Sequence, residues 1–121
     1  MVKSEFVQKF KARTKKLAIE IIWLYDRIKK TDSSIVAGRQ LIRSITSVAA
    51  NYRAACIARS QAEFFSKMSI VVEEADESLF WLEVIDESGM SKDTKLPTLM
   101  KECEEIVKVV SKARKNAGKN K

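Results

Sequence analysis

The sequence predicts an all-α fold, an antiparallel up-down-up-down four-helix bundle, on three observations. Only three Gly and one Pro stand in 121 residues, too few of the residues that punctuate turns and strand ends for a many-stranded sheet. Apolar residues recur at steps of three, four and seven in four successive stretches, the period of helices with one buried face. Short connections join those stretches, which sets neighbours antiparallel. At 45% hydrophobic content the chain can bury one core and not two, so residues 1–121 form a single domain.

The first helix is expected over about 4–30, with Phe6, Phe10, Leu17, Ile21, Leu24 and Ile28 as its core stripe. "TDSS", Thr31 to Ser34, ends it and supplies N-cap candidates for the second, over 34–58. There Leu41, Ile45, Val48, Tyr52 and Ala55 face the core, and Arg39, Arg43, Thr46, Ala50 and Arg53 fall opposite. Between them runs a line of small residues, Ser44, Ser47, Asn51 and Ala54. "SQAE", Ser60 to Glu63, has the form of a capping box and opens the third helix, over 61–88. Phe64, Met68, Val71, Ala75, Leu79, Leu82 and Ile85 supply its face, and Gly89 can take the left-handed conformation that stops it. The fourth helix, over 95–114, accepts Pro97 in its first turn, where a missing N–H does no harm. Leu96, Leu99, Met100, Cys103, Ile106, Val107 and Val110 form its face, and the basic segment 115–121 has nothing to bury and is expected to fray.

Composition narrows function. There is no His, so the usual general base and the commonest nitrogen ligand for zinc or iron are missing. The acidic cluster Glu73, Glu74, Asp76 and Glu77 lacks the Glu-x-x-His partners of a di-iron bundle. No Gly-rich phosphate loop or CxxC pair occurs, and no Ser, Cys or Asp has a base beside it. The expectation is a protein that is not an enzyme, with no metal and no cofactor. Cys56 and Cys103 fall at apolar helical positions and read as small buried hydrophobes rather than a disulfide. The most apolar run, "LAIEIIWLY" from Leu17 to Tyr25, is far short of a membrane span, and the N-terminus lacks the form of a secretory signal. A cytoplasmic location follows as an expectation.

Two surfaces exceed what a lone bundle needs. Ile19 and Trp23 on the first helix and Ile70, Trp81 and Val84 on the third lie off the core stripes, and apolar surface with aromatics marks a protein interface. The two tryptophans are expected near one outer surface, where copies of the chain associate; the competing reading is that both cap the ends of the bundle. Charge is segregated as well: residues 1–59 hold 13 Lys and Arg against 4 acids, residues 60–90 hold 1 against 8, and residues 91–121 hold 9 against 4. Unlike faces favour a head-to-tail contact that closes into a ring where the rotation permits.

The candidate ligand contacts are cationic. Arg39, Arg43 and Arg53 span about 21 Å of helix, long enough to bridge several phosphates, and clustered cations gain affinity by releasing counterions. Arg59, Lys15 and Lys16 are secondary candidates. The competing reading of the stripe is a solvated or salt-bridged face paired with the acidic third helix. For Ser44, Ser47, Asn51 and Ala54 the readings are close helix packing with hydrogen bonds across the gap, or contact with a ligand or RNA.

Gln40, Arg43, Ser44, Thr46, Ser47, Ala50 and Asn51, followed by Glu63-Phe64, Lys67, Glu74-Ala75, Glu77 and Trp81-Leu82, carry a resemblance. Gln40 to Ile85 resembles the central segment of the four-helix-bundle proteins encoded by intervening sequences in bacterial 23S ribosomal RNA genes. One departure is Ala49, where that family often has Gly. The resemblance implies an antiparallel four-helix bundle, a ring-like homo-oligomer such as a pentamer, and nucleic-acid binding; it brings no established catalytic residues. A related group, the accessory proteins of diversity-generating retroelements, implies partnership with a reverse transcriptase. The function expected is thus a basic, oligomeric bundle that binds RNA or another nucleic acid through phosphates. The alternative is a protein-interaction scaffold or an accessory subunit, for example of a reverse transcriptase.

Overall fold

The computed structural model describes residues 2–119, with side chains from Glu5 onward. Four helices follow one another: α1 (Val2–Arg27), α2 (Asp32–Ala55), α3 (Gln61–Glu87) and α4 (Leu96–Lys119). Each packs on its neighbours in sequence and α4 returns to α1, whereas the backbones of α1 and α3 stay apart at diagonal corners among the described residues. Every neighbouring pair is antiparallel. Arg13 meets Glu102 across α1 and α4, Arg27 meets Asp93 just before α4 begins, and Ser69 meets Arg114 across α3 and α4. The all-α up-down bundle is what the patterning predicts.

Local chemistry sets the helix ends. The Lys30 ammonium donates to the carbonyls of Tyr25 and Ile28, so α1 closes before the expected residue 30. The capping box sits at Thr31: its hydroxyl accepts from the Ser34 N–H while the Ser34 hydroxyl accepts from the Thr31 N–H. At α3 only half of the expected box forms. Ser60 Oγ accepts from the Glu63 N–H, but the Glu63 carboxylate accepts from Arg59 N–H instead of Ser60. Gly89, at φ 76°, ends α3 in a Schellman turn, with its N–H on Asp86 O and that of Met90 on Ile85 O.

The core runs the length of the bundle through Leu17, Ile21 and Leu24, Leu41, Ile45 and Val48, Met68, Val71 and Leu82, and Cys103, Ile106 and Val110. Two positions overturn the sequence reading. Phe6 belongs to the expected core stripe yet is 53% exposed, stacked on the Phe10 ring at the open end of the bundle. Residues 115–119 do not fray: α4 continues to Lys119, Ala117 is buried, and a side chain on Gly118 would come within 3.0 Å of the Phe65 ring. Small residues made that segment look as if it had nothing to bury, when what they permit is close approach to α3. Residues 120 and 121 lie outside the described residues. Neither Cys56 nor Cys103 is in a disulfide, and burial pushes the Cys103 thiol up to about 12.

The polar line on α2 has a structural use. Ser44 Oγ and Ser78 Oγ meet at 2.9 Å inside the bundle, where two short side chains let α2 and α3 approach closely. Each is also bonded to its own helix, Ser44 to Leu41 O and Ser78 to Glu74 O, so neither is buried unpaired. Asn51 does not cross the gap; its amide donates to Ser47 O and Oγ one turn back. Ser44→Leu should therefore overpack the seam and lower unfolding stability by about 2 kcal/mol, read from urea titration. Wild-type stability in that variant would mean the seam has room.

Candidate nucleic-acid interface

Two arginines of the α2 stripe remain available and one does not. Arg43 Nη1 donates to Glu74 Oε2 at 2.9 Å, and Nη2 reaches both Glu74 and Glu77 on α3. Its Nε donates to Gln40 Oε1. The guanidinium is thus occupied by carboxylates within one chain, the salt-bridged reading of this residue. Arg39 and Arg53 are exposed and make no ion pair among the described residues.

The guanidinium of Arg43, followed by the Trp81 indole N–H, holds the Glu77 carboxyl below the usual carboxylate range. A folded-state value that lies lower than the unfolded one adds stability above the unfolded value, and that stability is lost as pH falls through the folded one. Because both side chains are more than a third exposed, solvent screening keeps the gain at about 1 kcal/mol or less. Arg43→Met should cost that amount at pH 7, and the difference from wild type should shrink as the solution is taken below the usual carboxylate range. Urea unfolding at both pH values measures it; an undiminished gap in acid would assign the loss to packing.

Arg53 enters a different neighbourhood. The antiparallel packing of α1 on α2 leaves an open groove of about 540 Å³, with Lys11 and Lys15 from α1 and Arg53 from α2 on its walls. The floor is made of small and aliphatic side chains, Ala18, Ile22, Ala49 and Ala50 among them. Lys11 and Lys15 make no ion pair among the described residues. Residues 43–55 of α2 thus serve two neighbours: Ser44 draws α3 close, and Ala49 and Ala50 hollow out the α1 side. Ala49, where the resembling family often has Gly, is part of that hollow.

The remaining candidates are dispersed. Lys16 lines a hollow between α1 and α4, opposite Glu102 and Glu105. Arg59 lies in the connection from α2 to α3, beside the apolar end of the bundle. Arg39 is outside the groove lining. Lys11 was missed from sequence, although its four-residue offset from Lys15 places the pair on one helix face.

Of the apolar surplus, Ile19 and Ile70 are at the edge of exposure and Trp23 is 56% exposed, while Trp81 and Val84 are half-buried. Because α1 and α3 stand at diagonal corners, the two tryptophans do not share one outer surface as expected. Val36, Ile57 and Phe80 are exposed large apolar side chains that the stripes did not single out. Among the described residues no helix is long and apolar enough to cross a membrane.

Residues 8–112 match the family model described as 23S rRNA-intervening sequence protein. A crystal structure at 1.70 Å of a protein with unknown function from the S23 ribosomal protein family of Bacteroides thetaiotaomicron VPI-5482 is similar, with TM-score 0.80 and 28% identity. The likeness covers 90% of this chain and 97% of that one. No curated protein matches the sequence.

Proposed function

The chain belongs to the family of 23S rRNA-intervening sequence proteins, and from that premise we propose that it is a non-enzymatic, oligomeric bundle that binds nucleic acid, RNA first, through phosphates. The observation that carries the reading is the α1–α2 groove, where Lys11, Lys15 and Arg53 converge and none is tied to a carboxylate among the described residues. Three such cations around a small-residue floor favour an anionic chain that can lie close to the backbone. The acidic residues sit elsewhere, mainly on α3, so the field across the bundle steers a polyanion toward α1 and α2. The bundle self-associates through apolar side chains of α3, Ile70, Phe80, Trp81 and Val84, into a ring-like homo-oligomer, a pentamer by family resemblance.

The test is fluorescence anisotropy with a labelled single-stranded RNA across a salt series. Three phosphate contacts give log K against log salt a slope of about −2, and light scattering of the same preparation should show a mass well above 13.7 kDa. Absence of binding at about 0.05 M salt, where counterion release favours association most, would remove the nucleic-acid proposal.

A further inference from the structure

We propose that Trp23 is the stacking platform of this site, so that it takes single-stranded RNA with one unpaired base laid on the indole and discriminates against duplex; this rests on the phosphate-binding reading above. Trp23 is exposed and forms no hydrogen bond or ring contact among the described residues, in contrast to Trp81, which has Glu77 and the Phe80 ring edge. With Lys15, Lys16, Ile19 and Glu20 it walls a shallow hollow of about 300 Å³ on α1. Lys15 and Ile19 also wall the α1–α2 groove, so hollow and groove form one continuous surface.

The spacing suits a nucleotide chain. Lys15 precedes Trp23 by about two helical turns, roughly 12 Å along the axis, so a strand held by ammonium groups at Lys11 and Lys15 reaches the ring with its next bases. Glu20 is the one carboxylate among the described residues of the hollow; it repels phosphate from that end and leaves the neutral base as the group that fits there. A free indole face beside a cationic track is how single strands are held without sequence preference. A duplex keeps its bases stacked on one another and offers Trp23 none.

The experiment uses the full chain, a short labelled RNA as single strand, and its duplex of equal length. Trp23→Ala should weaken single-strand binding about tenfold and leave duplex binding unchanged, and Trp23→Phe should restore most of the loss. In a Trp81→Phe background, where Trp23 is the only tryptophan, adding the single strand should quench the emission. Equal loss of single-strand and duplex binding, together with a fall in oligomer mass, would overturn the proposal and make Trp23 a contact between copies. An unchanged Trp23→Ala affinity would overturn it while leaving the phosphate reading intact. If exchanging the groove cations for Glu also changes nothing, both readings fail.

Discussion

Exchanging Lys11, Lys15 and Arg53 together for Glu is expected to weaken RNA binding at least about a hundredfold at roughly 0.1 M salt. Each reversal removes a released counterion and sets a carboxylate against a phosphate, so the losses compound. Helix content and unfolding midpoint should hardly move, because none of the three makes an ion pair among the described residues. Arg43→Met is the control. Its guanidinium already donates to Glu74 and Glu77, so its loss should leave affinity within about twofold, whereas three equivalent stripe arginines would make Arg43 as costly as Arg53. Unaltered binding by the triple variant would place the interface elsewhere.

A sign reversal is expected at Gly38. A Cβ on Gly38 would overlap the Tyr25 ring, and that ring also carries the Lys30 ammonium, 4.2 Å from its centroid. Lys30 in turn donates to the carbonyls that end α1, so displacing the ring disturbs the α1–α2 turn. Gly38→Ala should therefore cost about 2 kcal/mol by overpacking, although Ala is the better helix former by about 1 kcal/mol. In a Tyr25→Ala background the clash is gone, and the same substitution should stabilise the protein. Unfolding titrations of the four proteins in this double-mutant cycle decide it, since like signs in both backgrounds would rule out the ring as the cause.

The sequence was most legible where periodicity is long and caps are local. The core faces of α2 and α4 follow from apolar spacing, and Gly89 follows from its position after the last apolar turn of α3. It was least legible where one residue type serves two ends. Phe6 continues the α1 period but has run past the depth of the bundle, while Ala117 and Gly118 look empty and are packed against α3. The same ambiguity governs the arginines, which a helical wheel treats alike.

By itself the sequence determined that four amphipathic helices form, where they begin and end to within a few residues, and that positive charge gathers outside the acidic third helix. These follow from interactions within a few residues of each other along the chain, which spacing records directly. Only the tertiary structure decided that Arg43 is bound to α3 while Arg53 joins Lys11 and Lys15, and that Trp23 borders their groove. Such outcomes depend on which helices become neighbours and in what register. The carboxylates that take Arg43 lie some thirty residues away on α3 and the lysines beside Arg53 some forty away on α1, and no local pattern encodes either.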